Sequence, residues 1–207
     1  MLSLLLLLAC PAEQLGIDMA KGGLDALSEE DIRRDLYMLE GEPPDRQARI
    51  QQRLERMHTL PGFGSAYVRE DVVCGLVDGD QSSPVVVLAL DEGHGAARSA
   101  APVAALISLA KTFDVPGKAE RSVVFCVAPS VEAYLEVPAL PIEDSHAMLS
   151  IGPLGGMTLS SEDHAEPLRR VHVHGALPED DRMSLLAPGV LIGHVRRLRE
   201  ALDALSS

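Results

Sequence analysis

Tryptophan is absent from the sequence, and aromatic residues make up only 3% of its 207 residues. Basic residues are also scarce, since 18 Lys and Arg stand against 31 Asp and Glu, for a formal net charge of −13. So acidic a chain offers no general surface for phosphates, and so few aromatic rings offer no stacking platform for bases. We therefore expect no nucleic-acid partner.

Cysteine is equally sparse. The chain has three, Cys10, Cys74 and Cys126, and none belongs to a Cys-x-x-Cys pair, so a structural zinc site of that type is unsupported. Cys74 and Cys126 each lie in an apolar run that predicts a buried strand, and free cysteines are among the residue types most often buried. We expect two buried thiols there, with a disulfide between them as the alternative.

No hydrophobic run is long enough to span a membrane, and the most leucine-rich one is residues 1–9, MLSLLLLLA. This run is too short to cross a bilayer, which needs roughly 20 apolar residues. It resembles the end of a secretory signal, although no Lys or Arg precedes it, and the sequence LLAC at positions 7–10 resembles a bacterial lipobox. The segment predicts lipidation at Cys10 and a bacterial cell-envelope protein, lipid-anchored or secreted, that meets the membrane only through that lipid. An ordinary signal peptide and a buried N-terminal element are the alternatives.

The rest of the chain predicts one α/β domain over residues 28–207, preceded by a signal or lipoprotein segment and linker over 1–27. Apolar residues at helical spacing indicate a helix that begins at Ser28 and ends at residues 41–44, followed by helices over 46–57, 100–113 and 190–205. Apolar runs predict strands over 71–77, 84–90, 121–128 and 147–151. Strands that alternate with helices indicate a layered domain around a largely parallel sheet.

The order and texture of these elements resemble the co-catalytic zinc aminopeptidase family, which holds bacterial leucyl aminopeptidases and glutamate carboxypeptidases. The segments that carry the resemblance are SEEDIRRDLYMLEG, DVVCGLVDGD, RSVVFCVA and the core unit PVVVLALDEGHGAARSAAPVAALISLAKTF. Residues 163–168 resemble a late loop of the family, of Asp-His-x-Pro-Phe-Leu type. The resemblance covers residues 28–205 and implies a three-layer α/β sandwich with a central, mostly parallel mixed sheet flanked by helices.

The resemblance also implies where a two-zinc site would lie. The first His ligand of the family corresponds to Leu90, the bridging Asp to Arg98, the general base to Val131 and a further Asp to Gly152. None of these side chains supplies a zinc ligand, because zinc takes imidazole, thiolate and carboxylate donors and a guanidinium keeps its proton. The family's remaining Glu ligand corresponds to Glu132, and its late His to His172 or His174.

These replacements predict a degenerate member of the family, a pseudoenzyme without a catalytic residue or a metal cofactor. We expect it to bind a peptide or protein, with Arg98 and Glu132 lining the cleft. Arg98 either pairs with Glu132, Asp91 or Glu92, or lies on a shortened loop and points to solvent. The alternative is a zinc-dependent exopeptidase with a rearranged site, whose candidate ligands have the donor types that suit zinc: Asp91, Glu92, His94, Glu132 and His174.

His172 and His174 form a pattern of their own. They alternate along a predicted strand, so both side chains point to the same side of it. This placement fits a metal-binding or pH-sensing pair. We favour the simpler interpretation, two solvated histidines on an edge strand of the sheet.

Overall fold

A computed structural model describes residues 23–24, 27–39, 43–57, 67–69, 71–79, 81–113, 121–165, 168–182 and 186–206. Cys10 and nearly all of the predicted signal segment lie outside these residues. Within the described part of the chain, no helix is long and apolar enough to cross a membrane.

The described residues form an alternating series of helices and strands. The helices are α1 (Glu29–Met38), α2 (Pro43–Met57), α3 (Ala101–Lys111), α4 (Val131–Glu136) and α5 (Pro188–Ser206). The strands are β1 (Tyr67–Arg69), β2 (Val72–Val77), β3 (Gln81–Leu90), β4 (Arg121–Ala128), β5 (Ala147–Ile151), β6 (Leu159–His164) and β7 (Arg170–Gly175). A π-helical turn over Ala96–Ala100 leads into α3, and a short 3-10 turn over Ile142–Asp144 precedes β5.

All seven strands join one mixed sheet in the order β1-β2-β4-β3-β5-β7-β6. The four central strands, β4, β3, β5 and β7, run parallel to one another. The outer strands β1, β2 and β6 pair antiparallel with their neighbours. The predicted fold, an α/β sandwich around a mixed sheet with a parallel centre, is confirmed.

Local sequence sets the helix starts. Ser28 caps α1, because its hydroxyl accepts a hydrogen bond from the backbone N–H of Asp31 at 3.1 Å, and three acidic residues fill the first turn. Helix α2 begins at Pro43, three residues before the predicted start at Arg46. Proline is tolerated in the first turn because the N–H it lacks has no partner within the helix.

The two faces of the sheet are covered differently. Helices α1, α2, α3 and α5 share one apolar core with the first face, through residues such as Val87, Phe125 and Leu149. On the second face, which carries Leu88, Cys126 and Met148, the helix among the described residues that joins the apolar cluster is the six-residue α4. The fold is therefore a layered sandwich whose helices lie mainly on the first face.

The cysteine expectation is wrong. Cys74 and Cys126 form a disulfide, with Cα atoms 4.1 Å apart. They are direct partners in the antiparallel β2–β4 pair, and both are fully buried on the second face. Sequence alone does not reveal that pairing register, because it depends on which strand lies next to β2.

Two further expectations change at the far edge of the sheet. β7 is not an edge strand, because β6 pairs with its outer side. The late-loop assignment for residues 163–168 is wrong in its first part, since Asp163 and His164 belong to β6. A strand this polar, LSSEDH, lacks the apolar alternation by which strands are predicted.

Candidate functional site

The loop that follows β3 is held at the carboxyl edge of the sheet by Asp181. The Asp181 carboxylate accepts hydrogen bonds from the backbone N–H groups of Ala97 and Arg98, the latter at 3.3 Å. Gly95 has φ +79°, and a Cβ there would collide with the same carboxylate. Asp181 therefore fixes the start of the π-helical turn. Sequence reasoning missed it because it lies in a polar segment without periodicity.

Apolar contacts surround two of the positions that the sequence resemblance assigns to a metal site. Leu90, the last residue of β3, is half-buried and packs against the second-face cluster. Val131, the first residue of α4, is 8% exposed and belongs to that same cluster. The positions that the resemblance assigns to the first metal ligand and to the general base thus contribute to hydrophobic packing.

Arg98 is paired, but not with Glu132. Its guanidinium Nη1 lies 3.2 Å from Oε2 of Glu92, with the two side chains 40% and 33% exposed. Glu132 is exposed in the first turn of α4, whose N-cap is Ser130. Hydrogen bonds from its own backbone N–H and from the Ser130 side chain lower the pKa of Glu132. Its carboxylate therefore accepts hydrogen bonds at the amino-terminal end of α4.

Gly152 lies against a histidine. A Cβ at this position would stand 2.8 Å from Cε1 and 2.9 Å from Nε2 of His172, so the ring occupies the space that a side chain at 152 would need. Nδ1 of His172 is 2.9 Å from the hydroxyl oxygen of Ser150. Burial, followed by the nearby His174, lowers the pKa of His172. The ring is thus a neutral, packed side chain at neutral pH.

The remaining candidate ligands each have separate partners. His94 is exposed, and its Nδ1 donates to the backbone oxygen of Glu92 at 2.9 Å. His174 stacks on His172, with ring centroids 5.5 Å apart, and lies 3.7 Å from the Glu162 carboxylate. Among the residues that the structure describes, no three His, Cys, Asp or Glu side chains form a group that could hold a metal ion. The rearranged zinc site therefore stays a sequence prediction, since its candidate ligands do not form such a group among the described residues.

Asp91 forms the most buried ion pair of the loop. Its Oδ1 accepts from Nη1 of Arg46 at 2.7 Å and from the backbone N–H of Gly93 at 3.0 Å. The Arg46 and Asp91 side chains are only 7% and 16% exposed. Arg46 belongs to α2, so this ion pair ties that helix to the carboxyl end of β3.

A cavity of about 350 Å³ opens beside this ion pair, between α2 and the carboxyl ends of β3 and β4. Open α/β sheets bind ligands at this edge. Its wall combines aliphatic side chains with three carboxylates and one amide: Gln47, Ile50, Asp71, Val73, Asp91, Glu92, Gly93, Val127, Ala128 and Pro129. We call it the α2 cleft. The sequence prediction named Arg98 and Glu132 as cleft residues, and neither belongs to this lining. It named Asp91 and Glu92 as candidate metal ligands and missed Gln47, Ile50 and Asp71, because strand and helix patterns do not show which faces meet.

Comparison with solved structures finds the same fold in an aminopeptidase, a glutaminyl cyclase and a Zn-dependent exopeptidase. The aminopeptidase LapA of Legionella pneumophila has a TM-score of 0.72 at 10% identity, with 96% of this chain and 73% of that chain covered. The glutaminyl cyclase of Porphyromonas gingivalis has a TM-score of 0.61 at 8% identity, covering 85% and 96%. A Zn-dependent exopeptidase from Parabacteroides distasonis has a TM-score of 0.58 at 9% identity, covering 86% and 96%.

Similarities at this level of identity show an aminopeptidase-like fold. They do not show which reaction or ligand this chain has, so that question depends on its own residues. No protein-family profile matches the sequence, and no curated protein matches it at a significant level.

Proposed function

We propose that this protein is a non-catalytic, peptidase-like binding domain of the bacterial cell envelope, and that it holds a peptide amino terminus in the α2 cleft. The observation that carries the proposal is the set of contacts at the metal-equivalent positions. Leu90 and Val131 pack in an apolar cluster, Arg98 pairs with Glu92, and the His172 ring fills the space beside Gly152. These residues do not fit a two-zinc centre, so we derive no metal-dependent step.

The chemistry of the α2 cleft supports an amine-bearing ligand. Its carboxylates are Asp71, Asp91 and Glu92, while Ile50 and Val127 are among its aliphatic wall. Arg46 and Arg98 each offset one of these carboxylates, which leaves Asp71 at the exposed rim to receive an ammonium group. A volume of about 350 Å³ is at the small end of ligand pockets, suited to one or two residues of a peptide.

The disulfide supports the envelope location. Disulfides persist in secreted, periplasmic and surface proteins and are rare in a reducing cytosol. Cys74–Cys126 thus agrees with export, as the leucine-rich start of the chain predicts. Lipidation at Cys10 remains part of the proposal, and a Cys10→Ala variant that still partitions into detergent would contradict it.

The test is calorimetric binding of a leucine-led dipeptide amide and of its N-acetylated counterpart. Acetylation removes the ammonium charge, so we expect it to abolish binding. Asp71→Asn should weaken binding about tenfold, since a charge-assisted hydrogen bond contributes about 1.5 kcal/mol or more. Asp78→Asn is the matched control, because Asp78 is exposed beyond the other end of β2. Equal affinity for the free and acetylated peptides would refute the amine site.

The enzyme alternative has its own measurement. Protein purified with excess zinc is incubated with aminoacyl nitroanilides, and we expect no release above the uncatalysed rate. Chelator-sensitive turnover of roughly 1 per second, within the ordinary range for enzymes, would overturn the non-catalytic assignment.

A further inference from the structure

An apolar groove lies between the β5–β6 loop and the first half of α5. Met157, in the β5–β6 loop, is 80% exposed and forms one wall of the groove. Two adjoining cavities of about 230 and 240 Å³ lie between this loop and the first half of α5. The residues that line them are mostly apolar or small: Leu154, Gly156, Met157, Leu186, Ala187, Gly189, Val190, Leu191, Gly193, His194 and Arg197. We call this surface the α5 groove.

No close contact among the described residues requires glycine at position 193. It lies inside α5, where glycine costs about 0.5–1 kcal/mol relative to alanine. Among the described residues, a Cβ built on Gly193 meets nothing within 4 Å, so no atom of that part of the chain excludes a side chain there. A glycine at an open position of a helix is suited to the close approach of another backbone.

Charges of both signs flank Gly193 on the same face. Arg197, one turn further along α5, lines the groove. At Gly189, one turn earlier, an added Cβ would lie 2.9 Å from the carboxylate oxygen Oε1 of Glu29, so that carboxylate covers the start of α5. The groove is thus positive on one side of Gly193 and negative on the other.

We propose that the α5 groove is a homodimer interface in which α5 of a second copy packs antiparallel around Gly193. A twofold axis at Gly193 pairs the two helices in opposite directions. A residue that follows Gly193 in one copy therefore lies opposite the residue that precedes Gly193 by the same number of positions in the other copy. Arg197 of each copy then faces Gly189 and Glu29 of the partner, so the charge pairing occurs twice. The same axis places both Met157 side chains on one side of the helix pair, where they cover each other.

Cysteine cross-linking of the full-length chain tests this arrangement. In Gly193→Cys the two thiols lie at the twofold axis, so we expect a reducible dimer under mild oxidation. Ala204→Cys is the control, since Ala204 is exposed on the same face of α5. It lies 11 residues along the helix, so the two thiols of an antiparallel pair would be about 33 Å apart.

Charge reversal supplies an independent arm. Arg197→Glu and Glu29→Arg, each added to Gly193→Cys, should lower the cross-linked fraction severalfold, and the double reversal should restore it. Equal cross-linking of the 193 and 204 variants would indicate random collision and overturn the dimer. The dimer would also be overturned if the protein sedimented as a monomer at every concentration and Gly193→Glu lowered its thermal midpoint. That result would mean that another segment of the same chain covers the α5 groove.

Discussion

The first and second faces of the sheet are stabilised by different means. The first face buries a continuous apolar core under four helices, with Asp35 inside it, 1% exposed and ion-paired to Lys111 and Arg53. The second face combines a smaller apolar cluster with α4 and the Cys74–Cys126 disulfide. A face with fewer packed helices gains less from burial, so a covalent link contributes proportionally more there.

Breaking the disulfide should have the largest effect. The linked cysteines are 52 residues apart, and closing a loop of that length stabilises the fold by about 4 kcal/mol in the chain-entropy model. Cys74→Ala with Cys126→Ala should lower the free energy of unfolding by about that amount in urea denaturation. Wild type in reductant, given time to unfold and refold, should reach the same value. A midpoint insensitive to both treatments would show that the link contributes nothing.

On the first face, Asp35→Asn should cost about 2–3 kcal/mol. It leaves the cations of Lys111 and Arg53 without their buried counter-charge, although both reach solvent in part. Asp31→Asn, one turn earlier in α1 and exposed, is the control and should cost less than about 1 kcal/mol. Asp35 lies in α1, Arg53 in α2 and Lys111 in α3. Similar losses of stability in the two variants would mean that these ion pairs do not hold the three helices together. The measurement is urea unfolding at neutral pH.

Gly152→Ala should cost about 1–2 kcal/mol, because the new methyl group overlaps the His172 ring and overpacking displaces neighbours. Gly75→Ala is the matched control within β2, where an added Cβ lies 3.8 Å from Leu54 in ordinary contact. Its thermal midpoint should stay near that of wild type. A Gly152→Ala variant as stable as the Gly75→Ala variant would show that His172 moves aside freely.

The smallest effect is a loss of stability in mild acid. Burial lowers the pKa of His172 on the second face and of His194 on the first. The unfolded chain therefore binds protons more readily than the folded protein, so stability is complete above the ordinary histidine pKa of about 6.5 and falls as the pH drops below it. His194→Gln keeps an N–H donor for the Gly156 carbonyl and should weaken this pH dependence. An unchanged pH dependence would assign it to other groups.

The sequence predicts the helices and strands in which apolar residues form a continuous run or recur at regular spacing. Apolar runs located β4 and β5 at their observed bounds, and helical spacing located α1. The polar edge strand β6 has no such pattern. The partners of Cys74, Arg46 and Asp181 depend on contacts across the fold, which local periodicity does not encode.

The composition of β6 limits how this protein meets other chains. Its open edge presents Ser160, Ser161, Glu162 and Asp163, all exposed, along a strand whose outer backbone groups would otherwise attract another strand. Two such edges brought together would place carboxylates of one strand beside those of the other. Sheet-to-sheet aggregation is therefore disfavoured at this edge, and self-association through a helix leaves that protection in place.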